Sequence, residues 1–317
     1  MSETIVVPTD LSPTSSAGLK MAVALAEGHD VTIDLLHVVD MTTILPFPLP
    51  NAVDGDELRA AMTRQAEETL KTMTDEHPDV EIRRHIRIGL PWEEILAHVR
   101  SHRVDRIFMA THGRHGFARL LLGSTTERVL RGAPCPVWAV PVKPVSKKDP
   151  APALVKAEPP SQILAAIDLS EQSIPVLQEA ARLALRHDAS LRLIHVVEIG
   201  EATLPMLSTE DPQPDFVERL HTGGEVAVRK LLEAHKADFV PEAWERIQQA
   251  PLEIALGDAP REIELAAERM DCDLLVLGRH GRRGFQRWVV GSVAERVIRR
   301  LPHSILVVPG PDAVQRD

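Results

Sequence analysis

The chain of 317 residues has only two cysteines, Cys135 and Cys272. They are not counterparts in the repeat described below, so no disulfide framework is built here, and both read as buried, reduced thiols without chemistry. Positive charge is not in excess either. Thirty-six Lys and Arg against 46 Asp and Glu give a formal charge of −10, which disfavours broad adhesion to nucleic acid or anionic membrane and confines any anion site to a local cluster. No apolar run approaches the roughly 20 residues that span a bilayer, and the amino terminus lacks a basic segment leading into an apolar stretch. The expectation is a cytoplasmic protein with neither nucleic acid nor membrane as partner. Also missing are Gly-x4-Gly-Lys-Ser/Thr, Gly-x-Gly-x2-Gly, a nucleophile elbow and any Cys/His set at zinc spacing. These absences leave no P-loop, no dinucleotide fingerprint, no serine nucleophile and no direct metal ligand from the protein.

What is present is a block that occurs twice. Residues 110–124 read Ala-Thr-His-Gly-Arg-His-Gly-Phe-Ala-Arg-Leu-Leu-Leu-Gly-Ser, and residues 278–292 read Gly-Arg-His-Gly-Arg-Arg-Gly-Phe-Gln-Arg-Trp-Val-Val-Gly-Ser. Each follows a short apolar run and ends in Gly-Ser at the head of a helical stretch: strand, glycine loop, helix N-terminus, an arrangement suited to an anion. The repeat extends further. Pro8-Thr-Asp-Leu-Ser12 is answered by Ala166-Ile-Asp-Leu-Ser170, and Leu36-His-Val-Val-Asp40 by Ile194-His-Val-Val-Glu198, both offset by 158. Later landmarks, such as Gly113 with Gly281 and Pro134 with Pro302, are offset by 168, so the second copy has ten extra residues, expected around Gly200 to Asp215.

Each copy alternates apolar runs rich in Val, Ile and Leu with segments of helical period, the pattern of crossover units and a parallel sheet. In the first copy strands are predicted at about 4–7, 32–38, 81–88, 106–110 and 137–140. Helices are predicted from the Ser12-Pro13 cap and over 57–75, 92–101 and 124–131. The domains are 1–143 and 161–310, joined by a linker at 144–160 rich in Pro and charge. With strand order 3-2-1-4-5, the crevice between strands 1 and 4 sets Asp10 and Asp168 opposite the glycine loops. A carboxylate there can accept hydrogen bonds from ribose or a base, and backbone amides at the loop and helix start can hold phosphates. His112 and His280 in the loops, and His37 and His195 ending the second strand, read first as packing or hydrogen-bonding side chains. Gly-Ser also has an ordinary reading, a serine N-cap.

These residues resemble the universal stress protein family in a tandem form, over almost the whole chain. The nucleotide-binding branch of that family carries Gly-x2-Gly-x9-Gly-Ser/Thr. The second copy matches throughout at Gly278, Gly281, Gly291 and Ser292; the first matches at Gly113, Gly123 and Ser124 but has Ala110 at the first glycine. The resemblance implies two Rossmann-like α/β domains of the adenine nucleotide alpha hydrolase type, paired as an intramolecular pseudo-dimer through their last strands. It implies binding of ATP, or of AMP or ADP, with Mg2+ carried by the phosphates. Asp10 and Asp168 would then contact the adenosine portion and the backbones of Val38 and Val196 the adenine. The phosphates would meet Gly113, Arg114, Gly281, Arg282 and the two Gly-Ser pairs. Pro8 and Thr9 before Asp10, His112 and His280 in the loops, and Thr125 and Val293 after the serines complete the expected set. A further homodimer is also implied. Three readings stay open: a nucleotide-responsive stress regulator, a slow ATPase or phosphotransferase using His112 or His280, and a nucleotide-free scaffold that binds a protein or hydrophobic ligand through the apolar loop Ile44 to Pro50. The lack of a placed base and of a P-loop lysine argues against appreciable turnover.

Overall fold

The computed structural model describes residues 2–40, 55–111, 122–142, 157–199, 214–281 and 291–311. The chain divides into two compact units, Met1–Pro159 and Pro160–Asp317. In the first unit the elements are β1 (Glu3–Thr9), α1 (Ser16–Ala26), β2 (Val31–Val39), α2 (Gly55–Asp75), β3 (Glu81–Ile88), α3 (Pro91–Ser101), β4 (Arg106–Ala110), α4 (Ser124–Gly132) and β5 (Val137–Val140). All strands are parallel, in the order β3-β2-β1-β4-β5. The second unit repeats this with β6 (Gln162–Ile167), α5 (Ser173–Arg186), β7 (Ser190–Glu198), α6 (Pro214–Ala234), α7 (Pro241–Gln249), β8 (Leu252–Gly257), α8 (Ala259–Arg269), β9 (Leu274–Gly278), α9 (Ser292–Arg300) and β10 (Ser304–Val308). Its strand order is β8-β7-β6-β9-β10, again parallel. This is the expected 3-2-1-4-5 order in both units.

Strands next to the reversal of winding carry continuous apolar runs because helices cover both faces of a parallel sheet. Every residue of β4 is buried, as are Leu274 to Leu277 of β9. β3 lies at the edge of its sheet, and its residues are half-buried or exposed. The first core is built on Ile5, Ile33, Leu35, Ile107, Phe108 and Trp138, with the rings of the last two stacked at 5.0 Å. Ile163, Leu164 and Leu177 are fully buried in the second. Each such side chain stabilises its unit by roughly 1.5–3 kcal/mol relative to exposure. Cys135 and Cys272 are buried and free, and burial pushes the Cys272 thiol up to about 12. Among the described residues no helix is long and apolar enough to cross a membrane.

Two expectations are corrected. Helix α1 begins at Ser16, not directly after Ser12: the Ser12 hydroxyl donates to Asp10 and its oxygen accepts the Ser15 amide at 3.2 Å, as a cap does, but that amide also returns to the Ser12 carbonyl at 3.1 Å, closing a tight turn before the helix. The extra residues of the second copy do not lie around 200–215. The stretches between second strand and long helix, 40–54 and 199–213, are equally long, and both long helices have 21 residues. The insertion instead follows α6 and forms α7, which starts with a proline at its first position and buries Ala243, Trp244 and Ile247. α7 packs on α5. The Gln178 amide on α5 donates to the Asp238 carbonyl ahead of α7 at 2.7 Å, and the Phe239 and Trp244 rings lie 5.9 Å apart. The apolar loop Ile44 to Pro50 lies outside the described residues.

Candidate functional site

In the first unit the winding of the sheet reverses between β1 and β4, where a crevice opens beyond the carboxyl ends of the strands. A cavity of about 140 Å³ lies there. Its lining brings together Pro8, Thr9 and Asp10 from the end of β1, Val38 from β2, Ala110 from β4 and Thr125 from the first turn of α4. Leu36, Pro91, Ile95 and Met109 give it an apolar wall, and Ser15 and Thr126 add hydroxyls. None of these six was singled out from sequence. The repeat holds a signal for three of them, since Ser15, Leu36 and Ile95 recur as Ser173, Ile194 and Ile263 at the same offsets.

The aspartates close a tight turn in each unit. Asp10 Oδ1 accepts the Ser12 amide at 3.0 Å and its hydroxyl at 2.5 Å, and Leu11 between them has φ 63°. Asp168 Oδ1 accepts the Ser170 amide at 3.1 Å and hydroxyl at 2.6 Å, with Leu169 at φ 64°. A leucine in this left-handed region costs roughly 1–2 kcal/mol, and the carboxylate's hydrogen bonds offset it. The units differ in the next layer. Thr9 shares a 2.8 Å hydrogen bond with Ser15 and accepts the Leu11 amide at 3.0 Å. Ile167 replaces Thr9, and Ser173, the counterpart of Ser15, donates to Asp168 Oδ1 at 3.1 Å and accepts the Asp168 amide at 3.2 Å.

His37 and His195 sit behind the aspartates. Nδ1 of His37 lies 2.8 Å from the Thr9 carbonyl and Nδ1 of His195 lies 2.9 Å from the Ile167 carbonyl. A carbonyl only accepts, so Nδ1 carries the proton in both, and each ring fixes the peptide that precedes the aspartate.

Both glycine loops are stitched at their ends in the same way. The Thr111 amide donates to Val140 and its carbonyl accepts the Gly123 amide, each at 3.0 Å. The Arg279 amide donates to Val308 at 2.8 Å and its carbonyl accepts the Gly291 amide at 2.7 Å. Gly123 and Gly291 are the N-caps of α4 and α9, without a side-chain capping bond. Ser124 and Ser292 are thus the first helical residues and not serine caps. The amides of each first turn carry the partial positive charge of a helix start, with Thr125 and Val293 half-buried in that turn.

In the second unit one glycine of the pattern meets Asp168 and another packs on the loop that carries it. A Cβ on Gly281 would fall 2.9 Å from Asp168 Oδ2, and one on Gly291 would fall 3.1 Å from the Arg279 carbonyl, 3.4 Å from His280 Cα and 3.6 Å from the Gly281 amide. A Cβ on Gly278 points elsewhere: 3.2 Å from the His280 carbonyl, 3.6 Å from Val176 and 3.7 Å from Gln172 on the α5 side. Burial, and then the neighbouring Arg279 cation, push His280 below its ordinary value, which leaves the ring neutral near pH 7. Val196 is half-buried on β7, paired with Ala255. His112, Gly113, Arg114 and Arg282 lie outside the described residues.

The sequence model described as the Universal stress protein family matches residues 1–141 and 160–309. A universal stress protein of Methanocaldococcus jannaschii is 34% identical over 137 residues, which cover 43% of this chain and 80% of that protein. A universal stress protein of Mycolicibacterium smegmatis is 25% identical over 317 residues, covering 96% of each chain. The crystal structure of a universal stress protein from Archaeoglobus fulgidus superposes with a TM-score of 0.64 at 21% identity, covering 98% of each chain, a likeness of fold.

Proposed function

The chain belongs to the universal stress protein family, and from that premise we propose that it binds an adenine nucleotide, ATP or its AMP or ADP relatives, and acts as a nucleotide-responsive stress regulator. The observation that carries this reading is the cavity at the reversal of the first sheet. It joins a carboxylate, Asp10, to an apolar wall at Leu36, Val38, Ile95 and Met109 and to the start of α4. An apolar slot suits a base, a carboxylate suits ribose hydroxyls, and a helix start without a side-chain cap suits phosphate. Asp168, Gly281, Gly291 and the start of α9 repeat the polar part of this set. Mg2+ would be held by the phosphate oxygens, with Asp10 and Asp168 already committed at Oδ1 to their own turns. A homodimer belongs to the same reading, and sedimentation equilibrium tests it directly.

Protein stripped of small molecules and titrated calorimetrically with ATP and Mg2+ is expected to bind and to melt at a higher temperature in their presence. Absence of both effects at millimolar ATP would overturn the proposal.

A further inference from the structure

Asp34 lies in the middle of β2 and is 2% exposed, in a strand otherwise rich in Val, Ile and Leu. A buried carboxylate requires a cation or several hydrogen bonds. Among the described residues its ion-pair partners are two histidines. His98 of α3, itself fully buried, places Nε2 2.9 Å from Asp34 Oδ2, and half-buried His85 of β3 places Nε2 3.1 Å from Oδ1. The His85 contact is not aligned as a hydrogen bond: both His85 Nε2 and Asp34 Oδ1 are buried without a hydrogen-bond partner. Three ligand atoms from three elements thus lie within 4.8 Å of one another. A tetrahedral ion with bonds of about 2.0–2.2 Å separates its ligand atoms by roughly 3.2–3.6 Å, so the Asp–His separations of 2.9 and 3.1 Å have to open by a few tenths of an ångström and any pair near the 4.8 Å limit has to close.

We propose that Asp34, His85 and His98 form a binding site for one divalent transition-metal ion of the zinc class in the first unit. Two imidazoles and one carboxylate suit Zn2+, Co2+, Ni2+ or Cu2+, whereas Mg2+ and Ca2+ favour all-oxygen sites. Three protein ligands leave a fourth position for water. His102 packs behind His98, rings stacked at 4.0 Å, and its Nδ1 lies 3.0 Å from the His98 carbonyl. An ordinary Asp–His ion pair with a hydrogen bond accounts for His98, while the second imidazole lies at ion-pair distance from Oδ1 without the alignment of a hydrogen bond.

The second unit has no such cluster, since Arg192, Glu253 and Ala266 stand at the equivalent positions. The expected stoichiometry is therefore one ion per chain. The site shares two elements with the cavity described above: Asp34, Leu36 and Val38 alternate onto one face of β2, and Ile95 and His98 are one turn apart on α3. The ion would clamp β2, β3 and α3 one layer beneath the cavity. The proposal does not depend on the nucleotide reading and is tested without nucleotide.

Full-length protein freed of metal by chelation and dialysis is titrated with Co2+, then with Zn2+. One Co2+ per chain with the visible absorption of tetrahedral coordination, displaced by one Zn2+ and not by Mg2+, is the expected result. His85→Ala, at the half-buried rim where folding is least at risk, should weaken Zn2+ binding by about tenfold or more, and His98→Ala should do the same. Nitrogen NMR of the wild-type histidine rings provides a readout that needs no variant: Zn2+ should shift the Nε2 signals of two imidazoles. The proposal is overturned if Zn2+ does not bind at micromolar concentration, if binding survives both substitutions, or if no pair of Nε2 signals moves.

Discussion

The two units solve one packing problem in opposite ways. At the end of the fourth strand the first unit has Ala110 where the second has Gly278, and on the first helix the first unit has Gly18 where the second has Val176. A Cβ on Gly18 would meet the Phe108 carbonyl at 3.0 Å, so the helix lies almost on the strand, while a Cβ on Gly278 would meet Val176 and the His280 carbonyl. Small helix residue with larger strand residue is exchanged for the reverse. The first glycine of the Gly-x2-Gly pattern thus answers first to the His280 carbonyl and then to the helix beside it, and only the second, Gly281, meets the carboxylate of the site. Ala110 lines the cavity of the first unit, whereas its counterpart Gly278 lies beside Val176 in the second.

The largest expected effect that tests this comparison is on stability. Val176→Gly empties the space facing Gly278 and adds backbone freedom within α5, and should destabilise the second unit by about 3 kcal/mol in urea denaturation. A loss under about 1 kcal/mol would show that Val176 does not fill that space. Next comes affinity: Gly281→Ala should weaken ATP binding in the second unit by about tenfold, or 1.4 kcal/mol, and Gly278→Ala by much less. Equal losses in calorimetric titrations would return the first glycine to the site. Smaller again, Ala110→Gly should leave ATP affinity nearly unchanged and reduce stability by about 1 kcal/mol or less; a clear gain in affinity would identify the methyl group as an obstruction. The smallest effect concerns pH. Burial holds His280 and His303 of the second unit below 6.5, so the folded form binds these protons less readily than the unfolded chain. Their contribution to stability is complete above pH 6.5 and declines as pH falls from there toward the folded values. His303→Gln should flatten that decline in denaturation midpoints between about pH 7 and 5.5, and an unchanged slope would remove His303 from the account.

The strands and strand order were legible because buried parallel strands leave continuous apolar runs, and the doubled Asp and Gly landmarks located the crevice. The site of the insertion was not, since no repeated landmark falls between His195 and Gly257; yet Pro241 followed by Ala243, Trp244 and Ile247 is a helix start with a spaced apolar face, a signal that was there to be read. The start of α1 is a turn later than Ser12 suggests, because Ser12 serves Asp10 and the Ser15 amide together and so closes a separate turn ahead of the helix. The Asp34 cluster had no legible sign at all. Its members come from three elements with no characteristic spacing, and the second copy, which made the rest of the site visible, does not repeat it.

The turn at Leu11 and Leu169 has one more consequence. The Ser12 and Ser170 amides are bound to a carboxylate and not to a sheet ladder, so their exchange with solvent deuterium reports how firmly each aspartate holds its own turn. Because the same carboxylates face the crevice, each unit contains its own labelled reporter. Two amide signals in one spectrum would distinguish an event in one half of the chain from an event in the other.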